Sequence, residues 1–163
     1  MSMELHVLLR DSSVPTPPQW QNAIREAGFD LTLDATLSMR DWTGFLLAVY
    51  KGVKTGFEFD VSDASDITDT YPDVAEHVGD RDVSANFRWG GDLRECVAAV
   101  VASAALAKLC DGVLYDPQEG AFHTGDEALE TARQTVESVG DELWASPHQS
   151  LERTRSSARV AQF

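Results

Sequence analysis

The hydrophobic pattern predicts an α+β two-layer sandwich, a mostly antiparallel sheet with helices packed on one face. Three observations carry the prediction. Apolar and polar residues alternate with period two in several short segments, helical spacing is confined to three places, and most strands follow one another through turns rather than helices. The order read from the chain, β-α-β-β-β-β-α-β-α, has four strands in succession and does not resemble a doubly wound nucleotide-binding fold. At 163 residues with 43% hydrophobic content, the chain is the size of one domain able to build its own core. A single domain is expected over residues 1–140, followed by a C-terminal extension over 141–163 that is expected to be partly mobile.

Leu5, Val7 and Leu9 mark a first strand, which Asp11-Ser12-Ser13 interrupts. Thr16-Pro17-Pro18-Gln19 reads as a capping box, with prolines where their missing donors cost least. Trp20, Ala23, Ile24 and Ala27 then share one helical face, and Gly28 closes the helix. Phe29, Leu31 and Leu33 give a strand with one wet face. Phe45 to Tyr50 is more continuously apolar and reads as a buried strand, Lys51 to Gly56 as a turn, and Phe57, Phe59 and Val61 as the second strand of a hairpin.

Periodicity is lost after Val61 and returns in Val83, Ala85, Phe87 and Trp89. The stretch between is expected to be a long charged connection. Asp92 to Glu95 offers a second capping box, opening a helix to about Leu109 that is apolar nearly all round and therefore the most buried. Val113 to Tyr115 is a short strand and Asp116 to Gly120 a turn. Thr124 to Glu127 is a third capping box, with Leu129, Ala132, Val136 and Val139 at helical spacing behind it.

Charge supplies the functional signal. The formal net charge is -14, and nine of 27 carboxylates fall between Glu58 and Asp82 beside one basic residue, Arg81. That balance argues against nucleic acid or anionic lipid as partner, because phosphate contacts need a basic footprint. Residues 151–163 reverse the sign, with three Arg and one Glu. No signal peptide and no apolar run of membrane-spanning length is apparent, so a cytoplasmic setting is expected. Cys96 and Cys110 would lie about 21 Å apart along one helix, too far to pair.

Asp60, Asp63, Asp66 and Asp69 recur every third residue, but the Asp-x-Asp-x-Asp-Gly pattern of a calcium loop and its glycine are missing. Two readings remain for the segment: a solvated loop that blunts a sheet edge, or an electrostatic docking surface for a basic protein. A second cluster comprises Asp92, Glu95, Asp116 and His123. Asp92 and Glu95 fit helix capping, while all four converging on a cleft would fit a metal-dependent hydrolase. The histidines show no metal-ligand spacing, and no nucleophile motif or phosphate loop is present, so no cofactor or metal is expected. Trp42, between two strands, fits either the core or an exposed anchor.

Phe87-Arg88-Trp89-Gly90-Gly91-Asp92 with Glu95, the Ala105-Leu106-Ala107-Lys108-Leu109 helix end and the run from Asp111 to Gly120 (DGVLYDPQEG) together resemble small bacterial proteins, some of them similar to immunity proteins of polymorphic toxin systems. The resemblance implies a non-enzymatic α+β domain that binds and neutralises a partner, and it carries over no catalytic residue. The expected function is thus an acidic binding protein docking a basic protein, for instance a toxin, through Asp60, Asp63, Asp66, Asp69 and Asp73, with Trp42 as anchor. The alternatives are the hydrolase above and a structural or oligomer-forming domain.

Overall fold

The computed structural model describes residues 2–145. Its strands are β1 (Met3–Leu9), β2 (Leu31–Leu33), β3 (Thr43–Tyr50), β4 (Val53–Asp63), β5 (Val83–Trp89), β6 (Val113–Asp116) and β7 (Ala121–His123). Its helices are α1 (Pro17–Glu26), α2 (Ala64–Thr70), α3 (Ala75–Val78), α4 (Leu93–Cys110) and α5 (Gly125–Val139). The strands form one antiparallel sheet in the order β2-β3-β4-β5-β1-β6-β7. The α+β sandwich is therefore the architecture of the chain.

Two of the three capping boxes close as expected. Thr16 Oγ1 accepts from the Gln19 amide at 3.3 Å while Gln19 Oε1 accepts from the Thr16 amide at 2.8 Å. Thr124 and Glu127 repeat the arrangement at 3.3 and 2.8 Å. At the third, Asp92 accepts from the Arg94 amide at 2.8 Å, and no return bond from Glu95 completes a box. Each cap satisfies a first-turn donor that the helix itself cannot.

The main core lies between the sheet and the three long helices. α4 runs over β1, β4 and β5, flanked by α1 and α5. Val97, Ala98, Val101, Ala102, Ala105 and Leu106 are all fully buried, because a helix pressed on a sheet below and between helices at its sides has almost no free face. Its alanines allow close approach. At the start of α5, a Cβ on Gly125 would come within 2.5 Å of Lys108 Cα, so only glycine fits that crossing. Cys96 and Cys110 are unpaired, and burial pushes the Cys110 thiol up to about 12.

Besides the open box at Asp92, the structure corrects the sequence reading in four places. The turn expected over residues 51–56 contracts to Lys51-Gly52, whose φ values of 50° and 80° are those of a type I′ hairpin turn matched to strand twist. β3 is buried on one face only: Leu46, Ala48 and Tyr50 lie under the helices, while Phe45 and Leu47 stand exposed on the other. After the turn at 117–120 the chain adds an edge strand, β7, paired with β6.

The largest departure is the acidic connection, which is an ordered cap. β4 continues to Asp63, then α2, a 3-10 turn (Pro72–Val74) and α3 cross the sheet face opposite the long helices. Ala64, Ile67 and Val74 are buried there against Leu8 and Tyr115, with Tyr71, Val78 and Phe122 packed around them. Helices thus cover both faces, the long ones on the expected side and a short cap on the other. Of the C-terminal extension, Asp141–Trp144 forms a 3-10 turn, and the Trp144 ring sits 4.5 Å from that of Tyr50. The expected mobility of the remainder concerns residues outside those described.

Candidate functional site

The face beneath the cap is polar, and strand register explains how distant residues meet there. Thr43, Asp60, Asn86, His6, Tyr115 and Phe122 lie in one row across six strands. From Asp60 to Phe122 the side chains of successive row members interact, because antiparallel neighbours stand about 5 Å apart. At the centre, His6 is 1% exposed, with Nδ1 at 2.7 Å from Asn86 Oδ1 and Nε2 at 2.9 Å from Glu4 Oε1.

Asn86 is held from every side. Its Oδ1 also accepts from Ser84 Oγ at 2.7 Å, and its Nδ2 donates to Asp60 Oδ2 at 3.1 Å and Ser62 Oγ at 2.9 Å. Those two acceptors fix the amide orientation, so the oxygen faces His6. His6 Nδ1 must therefore donate, and one proton lies between His6 Nε2 and Glu4. Glu4, itself half-buried, also accepts from the Tyr71 hydroxyl at 2.7 Å, which ties the cap to the sheet through a carboxylate acceptor.

Burial pushes the Glu4 carboxyl up, but the hydrogen bonds from His6 and Tyr71, with the charges of His6 and Arg88, outweigh it and hold the group below its ordinary value. The same bond pushes Tyr71 up to about 12. Glu4 then adds stability that is fully present above its unfolded value, near 4.3, and is lost as pH falls through the lower folded value. Replacing Tyr71 by phenylalanine is expected to cost about 1–2 kcal/mol near neutrality. The penalty should shrink at a pH low enough to protonate Glu4 in the folded state as well. Urea midpoints at the two pH values check this, and an equal penalty at both would dissociate Tyr71 from Glu4.

Nothing in this network is open to a substrate at its centre, since His6, Ser84 and Asn86 are all buried. It is a fastening. The accessible chemistry lies outside it, on the cap, where Asp63, Asp66, Asp69, Asp73 and Glu76 are exposed. Among the described residues none of these five carboxylates takes part in an ion pair. His77, which follows Glu76, stacks on Phe122 at 3.7 Å.

The sequence-derived residues separate on this map. Asp63, Asp66, Asp69 and Asp73 are all exposed on or beside the cap. Asp60 does not: it sits in β4, bonded to Asn86 and paired with Arg88 at 3.2 Å, so its charge is already matched. Trp42 is half-buried against the main core, and its indole nitrogen is buried with no acceptor among the described residues. It is not an exposed anchor.

No family model, curated protein or solved structure matches this chain. The members of the second cluster have separate partners. Asp92 caps α4, and Glu95 lies beside it with its carboxyl pushed up by burial and by Asp92. Asp116 accepts from the Gln118 amide at 3.0 Å and, with His123, lines a cavity of about 60 Å³. Among the described residues, no group of three or more His, Cys, Asp or Glu is arranged to hold a metal ion.

A larger groove, about 530 Å³, runs between α1 and β2 and is lined by Pro17, Gln21, Arg25, Leu33 and Asp34 among others. Gln21 donates to the Leu31 carbonyl at 2.8 Å and accepts from the Leu33 amide at 2.7 Å. The edge of β2 is thereby partnered, which blunts strand addition. No described helix is long and apolar enough to cross a membrane.

Glu4, His6, Tyr71, Asn86 and Arg88 escaped the sequence reading. For the strand residues the signal was phase: Glu4 and His6, like Asp60 and Ser62 or Ser84, Asn86 and Arg88, fall on the polar side of alternating strands. Phase alone does not say which strands are neighbours.

Proposed function

We propose that this chain is a non-enzymatic, cytoplasmic binding protein of the immunity type, which docks a basic protein on the outer side of the α2–α3 cap. The observation that carries the proposal is the group of five exposed carboxylates, Asp63, Asp66, Asp69, Asp73 and Glu76, without an ion-pair partner among the described residues. The cap beneath them is fastened to the sheet by Ile67, Val74 and the Tyr71 to Glu4 bond, so the charges are held in a fixed pattern rather than on a moving chain. A preorganised field of one sign raises association rates with an oppositely charged partner. The segments from Phe87 to Asp92 and Asp111 to Gly120 resemble small bacterial proteins, some of them similar to immunity proteins, and on that resemblance the partner is a toxin with a cationic active site.

The test is the association rate with a basic protein encoded by a neighbouring gene, followed by surface plasmon resonance. Changing Asp63, Asp66, Asp69 and Asp73 to asparagine is expected to slow association roughly tenfold at low salt and to leave dissociation nearly unchanged. Raising salt from about 50 to about 500 mM should reproduce the loss in the unmodified chain. An association rate indifferent to both changes removes the proposal.

A further inference from the structure

The cap covers only part of its sheet face, and the open part differs from it in character. Register places Phe45, Glu58, Arg88 and Glu4 in one row across β3, β4, β5 and β1, with Leu47 beside Gly56 in the next row. Phe45 is 45% and Leu47 42% exposed. Glu58, exposed next to Phe45, has no ion-pair partner among the described residues, because Arg88 turns to Asp60 at 3.2 Å and Glu4 at 3.8 Å.

The Phe45 ring is held in place. A Cβ on Gly56 would come within 2.5 Å of it, so the ring lies over the position where the neighbouring strand lacks a side chain. An exposed aromatic already fixed in one position loses little conformational freedom when something packs on it. Such residues serve as anchors in interfaces.

We propose that Phe45 and Leu47, with the free carboxylate of Glu58, form the apolar anchor of the docking surface, and that its occupant is a basic protein segment carrying an apolar side chain beside a Lys or Arg. The proposal rests on reading the chain as a binding protein and assigns the two halves of the face different work: the cap attracts, the anchor retains. Charge selects the occupant. A second copy of this chain, docked about a two-fold axis, would set Glu58 and the cap carboxylates of the two copies near each other, in a protein of net charge -14. Nucleic acid and anionic lipid carry the same sign and are disfavoured for the same reason.

Two short peptides of equal positive charge probe the idea, one alternating lysine with leucine, the other lysine with serine, titrated into the isotope-labelled full chain and followed by amide chemical shifts. The lysine-leucine peptide is expected to bind roughly tenfold tighter and to shift Phe45, Leu47 and Glu58. The double substitution Phe45→Ser and Leu47→Ser should abolish that advantage and leave lysine-serine affinity unchanged. Both side chains are exposed, and the shift map of the unmodified chain tests the location independently should the variant fold poorly. Equal affinity for the two peptides, or shifts confined to the cap, overturns the anchor and leaves the acidic docking surface standing. Binding of neither peptide at low salt removes both. A concentration-dependent dimer that the double substitution dissolves overturns the proposal by making the occupant a second copy.

Discussion

Trp20→Ala is expected to cost about 3–5 kcal/mol, the range for truncating a fully buried aromatic. Trp20 is 0% exposed, at the start of α1, and its ring lies 5.2 Å from Phe59 and 6.0 Å from Phe87. It thus joins α1 to the two central strands. Its indole nitrogen donates to the Ala102 carbonyl at 2.9 Å, which attaches α1 to α4 as well. Truncation would leave a cavity bounded by two strands and two helices, and rigid elements of that kind collapse poorly onto lost volume. Trp20→Phe separates the contributions by keeping most of the apolar fill and removing the donor. Urea unfolding monitored by circular dichroism checks both, with the denaturant slope held constant. A loss below about 1 kcal/mol for the alanine variant would show that α1 is not part of the cooperative core.

Asn86→Leu is expected to destabilise the fold by about 3 kcal/mol or more although the two side chains are close in size. The change leaves His6 Nδ1 and Ser84 Oγ, both buried, without an acceptor, and strips a donor from Asp60 and Ser62. Asp60 and Ser62 are only partly buried, so water can replace what they lose. His6 and Ser84 have no such recourse, and buried polar groups without partners cost about 1–3 kcal/mol each. A double-mutant cycle with His6→Leu is decisive, because removing both partners should cost less than the sum of the single changes. Strict additivity would mean that the two side chains are not energetically coupled.

The cap shows how the sequence can hold a signal that its own composition hides. Ala64, Ile67, Tyr71, Val74 and Val78 are spaced three, four, three and four apart, the stripe of an amphipathic helix. Carboxylates between them make the segment read as a solvated connection, and Pro72 interrupts any single helix. The stripe acquires a use only because Leu8 and Tyr115 present apolar surface to it. Phe45 and Leu47 illustrate the converse: an apolar run suggests burial on both sides, yet no described element covers their face of β3. Asp60 was grouped with its neighbours by spacing, and the register of β4 against β5 removed it from the free charges.

The sequence by itself determined what depends on near neighbours. The capping boxes at Thr16 and Thr124, the helix face of Trp20 and Ile24, the alternation in Val83–Trp89 and the excess of negative charge are all local patterns, and local sterics and hydrogen bonding fix their outcome. Tertiary structure decided what depends on pairing across the chain: the neighbours of β1, the row that brings Asn86 to His6, the separation of Asp92 from a metal-binding arrangement, and the face on which the acidic segment lies. Contacts such as His6 to Asn86 join residues 80 positions apart, and no pattern within either strand specifies the other. The physical reason is that period and phase are properties of one strand, whereas strand order comes from the cheapest joint burial of all of them.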